Sequence, residues 1–150
     1  MTKRRLMLVD DEPSFTRLLK LNLEQLGDYD VRVENGSERA LAAAREFRPD
    51  LILLDIAMPG LSGPALAAQL RADAGTRATP IVFLSAAVGK KRVREKQGRI
   101  AGYPIIAKPA SLEEILEGIE PYLPAAPAAG PRLVTEQSWL DGACPAGAES

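Results

Sequence analysis

Three short apolar runs, Leu6 to Val9, Leu51 to Leu54 and Ile81 to Leu84, punctuate an otherwise mixed chain. With no polar alternation and only four residues each, such runs read as strands covered on both faces. Between them the apolar positions recur at helical spacing. Pro13 suits the first turn of a helix, where its missing donor costs nothing. Phe15, Leu18, Leu19, Leu23 and Leu26 give that helix a stripe, and Gly27 closes it. Tyr29 to Glu34 reads as a short edge strand. Asn35 and Glu38 have capping-box spacing, which predicts a helix with Ala40, Leu41, Ala44 and Phe47 inward, ended by Pro49.

Further along, Ser62 caps a third helix with Pro64 in its first turn and Leu66, Leu70 and Ala74 facing the sheet. Val88 to Arg99 reads as a weak polar helix, and Tyr103 to Ala107 as the fifth strand. Ser111 and Glu114 then form a capping box for the best-patterned helix. Leu112, Ile115, Leu116, Ile119 and Leu123 line one face, while Glu113, Glu117 and Glu120 face water. Five strands alternating with five helices over short connections predict an α/β fold: a doubly wound five-stranded parallel sheet with helices on both faces.

Composition narrows the class. An apolar fraction of 46% with 26% charged residues is globular, and a net charge of −1 favours neither nucleic acid nor a membrane surface. Cys144 is the single cysteine, so no intrachain disulfide forms, and a reducing, cytoplasmic setting fits. The absence of histidine excludes histidine catalysis, histidine metal ligands and a phosphohistidine within the chain. Lys3, Arg4 and Arg5 precede an apolar run too short for a signal peptide or a membrane span. Pro121, Pro124, Pro127, Pro131 and Pro145 mark a change of composition. The expectation is a folded domain over 1–123 and a Pro/Ala/Gly-rich tail over 124–150, flexible or docking. In that tail only Leu133, Val134, Trp139 and Leu140 are large enough to dock.

The strand ends carry the chemistry. Right-handed crossovers place the C-terminal ends of all parallel strands on one edge, which gathers Asp10, Asp11, Asp55, Ser85 and Lys108. Three carboxylates at one spot repel unless a cation neutralises them, and hard oxygen ligands point to Mg²⁺, with Mn²⁺ as an alternative. A hydroxyl and an ammonium beside that cation complement a phosphoryl group, and one carboxylate facing it in line can be the nucleophile.

The motifs VDDEP (Val9 to Pro13), LLDIAMPG (Leu53 to Gly60), LSA (Leu84 to Ala86) and AKP (Ala107 to Pro109) resemble those of the receiver domains of bacterial two-component response regulators, over roughly residues 4–123. The resemblance implies strand order 2-1-3-4-5. It implies that Asp55 accepts a phosphoryl group, that Asp10 and Asp11 bind metal with Asp55 and the Ala57 carbonyl, and that Ser85 and Lys108 meet the phosphoryl group. It further implies a histidine kinase or phosphotransfer protein as donor, and output through the face spanning 88–123 toward a protein partner.

Three positions depart from the family pattern. Ile105 stands where an aromatic switch is usual, with Tyr103 two residues earlier on the same face of the strand. Ala110 replaces the aromatic that often follows Lys-Pro, and Ser62 an acidic residue before Gly63. The basic cluster Lys90, Lys91, Arg92, Arg94, Lys96 and Arg99 suits an acidic protein partner; neither direct DNA binding nor membrane insertion is expected. An aspartyl-phosphate hydrolase of the haloacid dehalogenase type would need an acid at position 57, which is Ala57, so turnover of outside substrates is not expected. A phosphorylation-independent interaction module is the alternative reading.

Overall fold

The computed structural model describes residues 3–86, 99–100 and 102–124, of which Arg4–Leu123 form one compact unit. Its strands are β1 (Arg4–Val9), β2 (Tyr29–Glu34), β3 (Leu51–Asp55), β4 (Ile81–Ser85), β5 (Arg99–Ile100) and β6 (Tyr103–Ala107). The helices are α1 (Pro13–Gln25), α2 (Ala40–Phe47), α3 (Gly63–Ala72) and α4 (Leu112–Ile119). In the sheet the order is β2-β1-β3-β4-β6-β5. All pairings are parallel except the two-residue β5, which lies antiparallel against β6. Counting the parallel strands alone, the order is 2-1-3-4-5, as the family resemblance implies.

Alternation along the central strands builds the two cores. Met7, Val9, Ile52, Leu54, Ile81, Phe83 and Ile105 pack with α2 and α3. Leu6, Leu8, Leu51, Leu53, Val82 and Leu84 pack with Leu19 and Leu23 of α1 and Ile115 and Ile119 of α4. Every residue of β3 is buried, and each buried leucine contributes about 1.5–3 kcal/mol. At the mouth of the sheet this makes β3 a rigid post for Asp55. Among the described residues no helix is long and apolar enough to cross a membrane.

Several expectations need correction. The stripe of α1 is narrower than its leucines suggest. Leu19 and Leu23 are buried, but Leu18 is 60% and Leu26 47% exposed. One position from Leu19 is a 100° turn of the helix, and Leu26 lies beyond its last turn. Gly27 does close the helix, at φ 88°. Asn35 and Glu38 form no capping box: a 3₁₀ turn over Ser37–Arg39 precedes α2, with no side-chain cap. Ala40 and Ala44 are buried as expected, whereas Leu41 and Phe47 only flank the core.

Ser62 caps α3, accepting from the Ala65 N–H at 3.3 Å. That helix ends at Ala72, so Ala74 is exposed and Thr76 turns inward instead, its hydroxyl donating to the Leu70 carbonyl at 2.7 Å. The capping box of α4 forms in both directions, Ser111 with Glu114. Arg99, expected at the end of a basic helix, lies in β5. The rest of the helix predicted from Val88, and the tail beyond residue 124, fall outside the described residues.

Candidate functional site

Asp10 follows β1 directly, Asp55 is the last residue of β3, Ser85 the last of β4, and Lys108 follows β6. One carboxylate oxygen from each of Asp10, Asp11 and Asp55 lies within 4.8 Å of the other two. Asp10 and Asp55 are buried and Asp11 is half-buried. Such a set of hard oxygen donors could hold a divalent cation.

Burial pushes the Asp55 carboxyl up from its ordinary 3.8 to about 6. The Asp10 charge and, less strongly, Asp11 push it the same way; Lys108 and a hydrogen bond from the Ala57 N–H (3.3 Å) oppose them. A cation at the cluster would reverse this repulsion, which is the chemical argument that these residues fit one.

Lys108 is not aimed at Asp55. Its ammonium donates to Asp10 Oδ2 at 2.6 Å and to Glu12 Oε1 at 2.8 Å, and sits 4.3 Å from the centre of the Phe15 ring. Burial alone would lower its pKa, but the hydrogen bonds to Asp10 and Glu12 hold it above the usual lysine value. In return, Lys108 keeps the Glu12 carboxyl below its ordinary value. The Lys108 N–H donates to the Ser85 carbonyl at 3.0 Å, which joins the ends of β4 and β6. Ser85 is 1% exposed.

Of the two residues singled out on β6, neither enters the acidic site. Ile105 is buried opposite Phe83 in the sheet. Tyr103 lies at the far end of the strand, edge-on to Phe83 with ring centres 5.1 Å apart and under the Arg71 guanidinium.

Sequence reasoning missed two contributors. Glu12, a fourth carboxylate, follows the acidic pair directly, and that adjacency was the available signal. Asn35, read as a helix cap, instead donates to the Asp10 carbonyl at 2.8 Å and to Thr16 Oγ1 at 3.0 Å, fastening the loop after β2 to the turn after β1. Asn35→Ala is therefore expected to cost about 1–2 kcal/mol of stability in urea melts, as two hydrogen bonds go.

A family model for the response regulator receiver domain matches residues 6–120. The chain belongs to that family. Receiver domains are signalling switches of two-component systems, not in general enzymes that turn over a substrate. The polar-differentiation response regulator DivK of Brucella anthropi is 36% identical over 121 residues, covering 80% of this chain and 96% of that protein. The DNA-binding response regulator MtrA of Mycolicibacterium smegmatis is 43% identical over 84 residues, 56% of this chain but 35% of the relative. The chain thus matches only about a third of that longer regulator. Among solved structures, the receiver domain of a sensor histidine kinase from Pseudomonas aeruginosa superposes with a TM-score of 0.66 at 27% identity. That match covers 81% of this chain and 98% of the other, which was solved with a magnesium ion coordinated in its active site cleft.

Proposed function

We propose that this receiver domain accepts a phosphoryl group on Asp55 from a histidine kinase or a phosphotransfer protein, in a Mg²⁺-dependent step for which Mn²⁺ can substitute. The observation that carries the reading is the meeting of the Asp10, Asp11 and Asp55 carboxylates within 4.8 Å, with the Lys108 ammonium on Asp10. Asp10, Asp11, Asp55 and the Ala57 carbonyl would hold the metal. When bound, it offsets the charge that the carboxylates and the phosphoryl oxygens bring together.

The remaining steps belong to the chain. An oxygen of ionised Asp55 attacks phosphorus, forming a P–O bond as the bond to the donor's leaving nitrogen breaks and that nitrogen keeps the electron pair. Lys108 and Ser85 supply hydrogen bonds to the transferred group. No other base stands beside Asp55 among the described groups except the carboxylates assigned to metal, so loss of the phosphoryl group to water is slow self-hydrolysis and not turnover.

Output passes by protein–protein contact through the face spanning 88–123, without direct DNA binding or membrane insertion, in the cytoplasm. The folded unit is Arg4–Leu123.

The test is incubation with beryllofluoride and Mg²⁺, a stable mimic of the phosphoryl group, followed by NMR. Shifts centred on residues 10–12, 55–57, 85 and 108 are expected, together with one modification by acetyl phosphate in intact mass. An unchanged spectrum, or equal modification of Asp55→Asn, would sink the reading.

A further inference from the structure

We propose that the first turn of α1 is a resting-state lock on Lys108, with Glu12 and Phe15 as positioning residues that set how readily the acceptor site takes a phosphoryl group. The proposal rests on the reading of Asp55 as acceptor.

Among the described residues, the hydrogen-bond and ring partners of the Lys108 ammonium lie in one six-residue stretch. Asp10 and Glu12 accept two of its three N–H bonds, at 2.6 and 2.8 Å, and the Phe15 ring faces the ammonium at 4.3 Å. Its side chain is only 10% exposed. An ammonium with two anionic acceptors and an aromatic face is well satisfied where it is.

Glu12 breaks a local rule to do this. It occupies the N-cap of α1, a position that favours Ser, Thr, Asp or Asn, and its side chain makes no capping bond. The helix starts on Pro13 instead. A residue that forgoes the local bond of its position and spends its charge on Lys108, 96 residues away in sequence, is the kind of exception that functional sites show.

Turning the ammonium toward a phosphoryl group on Asp55 competes with these two bonds. Asp10 is assigned to the metal, whose charge would offset its own, so with Mg²⁺ bound the contact that holds the ammonium at rest is the one to Glu12. Glu12 is 60% exposed, and water replaces its lost hydrogen bond. An interaction made in the resting arrangement and lost in the other shifts the equilibrium toward rest by its own strength. At a rim exposed to solvent that strength corresponds to about a two- to five-fold effect on affinity.

The experiment measures beryllofluoride affinity by NMR titration with saturating Mg²⁺. Glu12→Gln keeps the side chain's shape and removes its charge; Phe15→Leu keeps apolar bulk and removes the aromatic face. Each is expected to tighten binding, Glu12→Gln by about two- to five-fold and Phe15→Leu by about two-fold. Removing any nearby negative charge also attracts an anion, so Glu38→Gln is the control. Glu38 lines the same cleft as Asp11 and is not a partner of Lys108. The lock is supported if Glu12→Gln tightens binding and Glu38→Gln does so clearly less. Equal tightening by both, or unchanged or weaker binding in Glu12→Gln and Phe15→Leu, overturns it. A wild-type chain that fails to bind the mimic overturns the acceptor reading instead, so the two failures are told apart.

Discussion

With metal chelated at pH 8, Asp55→Asn is expected to be more stable than the wild type by about 2–3 kcal/mol, although it takes up no phosphoryl group at all. The sign follows from the buried carboxyl, whose value in the folded chain is about 6 against an ordinary 3.8. Above pH 6 folding has to bury a charge that the unfolded chain keeps in water, so ionised Asp55 destabilises the fold. As pH falls from 6 toward 4 the folded carboxyl takes up its proton before the unfolded one does, and the penalty disappears. An uncharged asparagine escapes it, and its side-chain oxygen still accepts from the Ala57 N–H. Urea melts of both proteins across this range should therefore diverge at high pH and converge near pH 4. A variant less stable than the wild type at pH 8 would mean that the acidic cluster is not under the strain argued here.

Gly63→Ala is expected to damage both stability and the site. A Cβ on Gly63 would stand 2.3 Å from the Asp55 carbonyl oxygen and 2.8 Å from the Ile56 Cα. Both are backbone atoms, so no side chain can swing aside. The Gly63 N–H also donates to the Ile56 carbonyl at 2.8 Å, which fixes α3 against the turn that leaves Asp55. Overpacking of this kind costs about 1–3 kcal/mol, and the relief available is a shift of the Asp55–Ile56 peptide. Urea melts should show the loss, and beryllofluoride binding at pH 7.5 should weaken more than the stability loss alone explains. Wild-type affinity in a destabilised variant would separate the turn from the site.

The acidic site was legible because strand ends are legible. A four-residue apolar run fixes where a strand stops, and parallel topology then gathers the stops on one edge, so Asp10, Asp55, Ser85 and Lys108 needed no long-range contact information. What could not be read was the partner each side chain takes. The partners that Lys108 takes at rest, Asp10, Glu12 and the Phe15 ring, could not be read from spacing. Asn35 has the spacing of a cap, but its amide is offered two acceptors by the neighbouring β1–α1 turn. Local spacing names what a side chain can do; which option wins depends on neighbours brought in from other parts of the chain. The leucines of α1 failed for another reason. Leu18 and Leu26 satisfy a generous apolar count, and only the angular position around the helix separates them from Leu19 and Leu23.

The Arg4 guanidinium meets Glu120 at 2.9 Å and the Tyr29 hydroxyl at 3.2 Å, linking the first residue of β1 to the turn that follows α4. The two ends of the Arg4–Leu123 unit therefore share one corner, at the edge of the sheet opposite the acidic site. A unit with its two ends clasped in this way is portable: it can be spliced into a loop of another protein, or joined end to end and reopened elsewhere, without stretching the sheet.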